Sequence, residues 1–219
     1  MDTKRIAVLA LASLVWLGWF YTLSQTIATP PVTALRWIPP RSTAFMDRER
    51  GGAVSWDWVP YDRISPNLKR AVVEAEDGDF FEHQGVDIDA ARRAALHNWR
   101  KRKFSRGAST ITMQLARNLY LSPTKSPWRK VREVLIALKL ERELSKERIL
   151  ELYLNVAEWG RGVYGAEAAA RHYFRKDAKD LGARESAFLA AILPRPRFYD
   201  KHRSGPYLNR RISKIEGMI

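Results

Sequence analysis

The chain has 219 residues and no cysteine, so it has ample material for a core, while structural disulfides, thiol catalysis and cysteine metal sites are excluded. Its 38 basic residues against 24 acidic ones leave a net charge of +14. That imbalance points to an anionic partner, whether nucleic acid, an acidic membrane surface or a phosphorylated substrate.

Lys4 and Arg5 precede a run without charge from Ile6 to Thr29. Its apolar part, Ile6 to Leu23, would span about 27 Å as a helix, close to the thickness of a hydrocarbon core. Trp16, Trp19 and Tyr21 gather toward its far end, as in an interfacial aromatic belt. The run predicts a transmembrane signal anchor over residues 1–28, with the N-terminus cytoplasmic by the positive-inside rule. A cleaved signal peptide is the competing reading, with Ala28 as a passable cleavage site. Pro30, Pro31, Pro39 and Pro40 predict an extended linker over 29–50. The segment from Trp56 to Tyr61 reads as one short strand or a surface wrap.

Ser65 and Pro66 suit a helix start, and Leu68, Val72, Val73 and Ala75 form an apolar stripe. That helix leads into an acidic turn, Glu76 to Gly85, with four carboxylates, His83, Phe80 and Phe81. Glu76 and Asp77 then sit at a helix C-terminus, where the dipole raises a carboxylate pKa and favours a general base. The same turn is also compatible with a solvated acidic loop anchored by its phenylalanines. His83 is expected to fix Asp77 or Asp79.

A helix is predicted over 86–99. From Ala90 to Arg132 there are twelve Lys and Arg and no acid. A field of one sign this long is costly through self-repulsion, so it implies an anionic partner, and a membrane anchor favours acidic lipid or a lipid-linked phosphate. Ser109 or Thr110 caps the next helix, and the hydroxyls there also suit phosphate or sugar oxygens. A helix over 128–144 is expected to bury Val131, Val134, Leu135 and Leu138. On it Arg129 and Glu133 stack at i, i+4. Further helices are predicted over 146–159, 166–174 and 183–193, followed by a short basic tail. Without βαβ alternation or repeats, the body is mainly α.

These stretches together resemble the peptidoglycan glycosyltransferases. Glu76-Asp77-x-x-Phe80-x-x-His83-x-Gly85 is similar to that family's first motif, and Gly107 to Gln114 to its second. Arg129-Lys130-x-x-Glu133 resembles the third, Lys146-x-x-Ile149-Leu150-Glu151-x-Tyr153-Leu154-Asn155 the fourth, and Gly162 to Glu167 the fifth. All five occur in the family's order, over roughly residues 55 to 200. Met113 departs from the pattern, standing where the first of two glutamines is usual, and Ala108 where a second glycine is common. Ser122-Pro-Thr-Lys125 matches a transpeptidase nucleophile pattern but has no Lys-Thr-Gly downstream, so the resemblance is to the monofunctional form.

The resemblance implies a lysozyme-like, two-lobed, mainly α glycosyltransferase domain over 51–219, behind one transmembrane helix. It implies polymerisation of lipid II onto a nascent glycan strand, at the periplasmic face of the inner membrane, among membrane lipids and beside cell-division or elongation proteins. Nucleic acid is then not a partner. Glu76 would be the base and Glu133 the second catalytic carboxylate. Asp77, Ser109, Thr110, Gln114, Arg117, Arg129, Lys130 and Asn155 would bind substrate. No organic cofactor is implied, though Glu133 could share Mg²⁺ or another divalent cation with a pyrophosphate. Two other classes compete: a lysozyme-like murein lytic enzyme, and a membrane-tethered, non-catalytic binder of anionic ligands.

Overall fold

The computed structural model describes residues 3–27, 32–49, 53–101, 109–122, 124 and 126–219. The linker positions Pro30 and Pro31, the motif residues Gly107 and Ala108, Phe104, and the basic residues Arg102, Lys103, Arg106 and Lys125 lie outside them. So do the expected domain boundaries at 28–29 and 50–51.

The first helix, α1 (Thr3–Ile27), is 25 residues long. It exposes Val8, Leu11, Leu14, Val15, Leu17 and Phe20. Among the described residues no helix is long and apolar enough to cross a membrane. The following segment differs from the expected extended linker. Residues Val32–Arg36 form a 3₁₀ turn that buries Val32 and Leu35 in the main core. Arg36 donates through Nη2 to the Glu143 carbonyl at 2.6 Å. Two apolar side chains at i and i+3 had a place in the core, and the flanking prolines did not prevent them from taking it.

Two groups of helices make the body. In the first, α2 (Pro66–Glu76) and α10 (Pro206–Glu216) both pack against α8 (Ala183–Ile192). Pro66 occupies the first turn of α2, and Leu68, Ala71, Val72 and Val73 are its buried face. Ser65 stands at the N-cap, but its hydroxyl donates instead to the Leu181 carbonyl at 2.7 Å, tying α2 to the start of α8. In the second group, α4 (Ile111–Tyr120) packs on α5 (Pro127–Glu143) and α6 (Lys146–Val156). From Ile149 to Val156 every residue of α6 is buried, so this helix is central rather than one-faced. A helix over 88–101, α3 (Ile88–Lys101), and α7 (Ala166–Phe174) and α9 (Pro196–Lys201) complete the set.

A small sheet packs on α7 and α9: β1 (Ser55–Trp56) runs parallel to β3 (Val163–Tyr164), which runs antiparallel to β2 (Glu158–Gly160). Strands this short carry too little alternation to be read from sequence. Gly165 follows β3 with φ +81°, and a Cβ there would stand 2.8 Å from the Asn155 carbonyl, so that turn requires glycine.

The burial of α5 corrects the sequence expectation. Glu133, Ile136, Ala137 and Leu140 face inward, while Val131, Leu135 and Leu138 are exposed. The helix carries two apolar stripes, and helical spacing cannot choose between them. The inward stripe is the one that brings Glu133 under Arg129 and Lys130. On the outer side Trp128 packs on α1, where a Cβ on Gly18 would fall 2.5 Å from its ring.

Candidate active site

The site lies where the end of α2 meets the start of α4. Asp77 caps α2 and reaches across to α4, its Oδ2 accepting the Ile111 N–H at 2.9 Å. Its Oδ1 faces His83 Nε2 at 2.9 Å, which decides between the two carboxylates offered for that histidine. Thr110 caps α4, accepting from the Met113 N–H, and its hydroxyl donates to the Gly85 carbonyl at 2.6 Å. Gly85 holds φ +85° at that point. Backbone and cap bonds therefore lock the acidic turn to α4 before any side chain of the cleft is considered.

Glu76 is the last residue of α2, and its side chain is 12% exposed. Gln114 Nε2 donates to Glu76 Oε2 at 2.9 Å, and Tyr153 O–H donates to Gln114 Oε1 at 2.9 Å. The tyrosine thus fixes which end of the amide faces the carboxylate. Arg211 from α10 approaches Oε1 at 3.5 Å. Burial raises the Glu76 pKa, while the Gln114 hydrogen bond and the charges of Arg211 and Arg117 oppose the rise. The direction agrees with the sequence expectation, and the leading cause is desolvation. Burial likewise raises Asp77, against His83, the Ile111 N–H and Lys146.

A cavity of about 170 Å³ opens beside Glu76, lined further by Gly78, Arg93, Ser109 and Thr110 among others. Ser109 accepts from Lys130 Nζ at 2.8 Å, which brings a cation to the cavity rim. Lys130 also pairs with Glu133 Oε2 at 3.1 Å, and Arg129 pairs with Glu133 Oε1. Glu133 is almost wholly buried, the Arg129 side chain is 17% exposed, and that of Lys130 is 46% exposed. The three are therefore not equivalent. Lys130 is the exposed member of the three, and the buried Glu133, itself paired with Arg129, holds it in place. Both oxygens of Glu133 are engaged by these cations. Among the described residues no group of three or more His, Cys, Asp or Glu is placed to hold a metal ion.

Three residues expected to touch substrate are placed differently. Asn155 is fully buried, and its amide is spent on both backbone groups of Val59 and on the Glu151 carbonyl. It fastens the β1 region to α6. Thr110 and Asp77 line the cavity, but their polar atoms are committed to holding the turn. Glu76, Ser109, Gln114, Arg117 and Lys130 are brought together as expected.

Met113 is 2% exposed, and it is Gln114 beside it that contacts Glu76. The departure at position 113 therefore removes no contact to Glu76. Sequence reasoning missed Arg211, which comes from a helix 135 residues on and outside every motif. It also missed Glu141, which accepts from Thr112 and Lys146 and so ties the second motif to the fourth.

A family model described as Transglycosylase matches residues 45–218. The chain belongs to the transglycosylase family. Its relatives include a protein of Nitrosospira multiformis, 48% identical over 191 residues, covering 84% of this chain and 83% of that one. A Bordetella pertussis protein is 48% identical over 222 residues, covering 96% and 88%. One from Chromobacterium violaceum is 54% identical over 159 residues, covering 73% and 70%. Each of the three is named a biosynthetic peptidoglycan transglycosylase. In this transglycosylase all five motifs fall inside the matched region, and so does Arg211.

Proposed function

We propose that the chain polymerises lipid II into linear β-1,4 glycan strands of peptidoglycan, releasing undecaprenyl pyrophosphate and inverting the anomeric carbon. The observation that carries this reading is the pairing of a buried, raised-pKa carboxylate with an exposed lysine at one cavity: Glu76 lines it, and Lys130 reaches its rim through Ser109.

Glu76 takes the proton of the acceptor hydroxyl as that oxygen bonds the anomeric carbon. The bond from that carbon to the pyrophosphate oxygen breaks on the opposite face, and its electron pair leaves with the phosphate. Lys130, held by Glu133, meets the charge that develops there, and Arg117 adds to the field. A murein lytic reaction on uncharged glycan would leave the Lys130–Arg129–Glu133 cluster without a task.

Residues 1–28 anchor the domain in the inner membrane, with the N-terminus cytoplasmic and the catalytic body periplasmic. In support, α1 is helical over 25 residues, about 37 Å at 1.5 Å per residue. Its exposed apolar side chains from Val8 to Phe20 are extended in the sequence by Ile6, Ala7 and Leu23 to an uncharged apolar run of 18 residues.

The test is whether the full chain, purified in detergent, converts lipid II into polymer with release of undecaprenyl pyrophosphate. Folded protein that leaves lipid II intact contradicts the reading.

A further inference from the structure

A second, larger cavity of about 420 Å³ adjoins the site and uses none of the motif residues. It is lined by Ala191, Pro194, Arg195, Tyr199, Tyr207 and Arg211, from the end of α8, from α9 and from α10. The two cavities share no lining residue. The pair of Arg211 with Glu76 spans from one to the other. Two arginines and two tyrosines face this space, and among the described residues no carboxylate lines it. Among the described residues Arg195 has no ion-pair partner, and Arg211 Nε is buried without a hydrogen-bond partner.

Such a lining is selective. Guanidinium groups take carboxylate or phosphate oxygens in a bidentate fork, and tyrosine rings offer apolar faces with a polar edge. A pocket with aromatic walls and a few convergent charges is suited to a sugar bearing an anionic substituent.

We infer that this groove binds an anionic group carried by the acceptor sugar, with Arg195 and Arg211 on the anion and Tyr199 and Tyr207 against the adjoining ring or chain. The inference rests on the reaction proposed above. There the leaving group occupies the Lys130 side of Glu76, so the acceptor approaches by the other side, past Arg211. An anion in the groove draws on the same guanidinium that faces Glu76 Oε1, which couples acceptor binding to the base.

The anion has two sources with one chemistry: a carboxylate of the peptide on the sugar, or the phosphates of the acceptor's lipid carrier. Two probes separate them: phosphate-free disaccharide-pentapeptide, and inorganic pyrophosphate. Each is titrated into the full chain in detergent, beside Arg195→Ala and Arg195→Lys. Wild type binds at least one probe, Arg195→Ala weakens that binding about tenfold, and Arg195→Lys, which keeps the charge but not the fork, recovers only part of it. Loss with the peptide probe names the carboxylate, and loss with pyrophosphate names the phosphate. A wild type that polymerises lipid II yet binds neither probe, or binds both as Arg195→Ala does, overturns the groove assignment and leaves the reaction standing. A wild type that does not polymerise lipid II overturns the reaction instead.

Discussion

Gln114 donates one amide hydrogen bond to Glu76 Oε2, and its own carbonyl is held by the buried hydroxyl of Tyr153. The chain Tyr153–Gln114–Glu76 therefore sets both the orientation of the Glu76 carboxylate and its charge. A hydrogen bond to an ionised carboxylate favours ionisation. Gln114→Ala is expected to lower kcat about tenfold or more and to move the acid limb of the rate profile to higher pH. A profile that keeps its acid limb in place shows that the amide does not tune Glu76.

The raised pKa of Glu76 has a second consequence, with a definite sign. Its folded-state value lies above its unfolded one, so its favourable contribution is complete below the unfolded pKa. It is lost as pH rises through the folded pKa. Ionised Glu76 is thus a burden on stability at neutral pH. Glu76→Gln is expected to melt at a higher temperature than wild type at pH 7, and the difference should vanish as the pH falls below the ordinary glutamate range. The rate itself should fail on acidification at a pH above the ordinary value of 4.5.

Lys130 and Glu133 separate presentation from support. Lys130→Ala removes an exposed cation and should lower kcat about 10²–10³-fold with little change in melting temperature. Glu133→Ala leaves Arg129 without its partner in a nearly dry position, and should cost about 3–5 kcal/mol of stability as well as activity. Thermal melts beside turnover rates distinguish the two. If both variants melt like wild type, the holding role of Glu133 is wrong.

Met113 offers a test against the family pattern. Restoring the usual residue with Met113→Gln places an amide in a position that is 2% exposed. Without new partners that costs about 1–3 kcal/mol. The variant is expected to be less stable and no more active. A gain in polymerisation would show that position 113 reaches the substrate.

The sequence made the site more legible than the fold around it. Glu76, Gln114 and Lys130 are carried by local spacing within short motifs, and two of their elements begin at visible signals, Pro66 in the first turn of α2 and Thr110 at the cap of α4. What spacing could not give is which of two acceptable stripes faces inward. On α5 the inward stripe is the one that carries Glu133, because a buried charge with two cations at i−4 and i−3 settles there only where they can close over it. Nor could it give partners from distant chain. Arg211 on Glu76, and Val59 on Asn155, are pairings across 135 and 96 residues that only tertiary packing makes. Val32 and Leu35 show the same limit, since their burial depends on a core formed far downstream.

In the proposed reaction Glu76 is the base of a glycosyl transfer to lipid II. The most direct measurement is polymerisation of lipid II by the full chain in detergent, with wild type and Glu76→Gln side by side and both shown to be folded by thermal melts. Polymer is expected from wild type and none from Glu76→Gln. Polymer from both at comparable rates would contradict it.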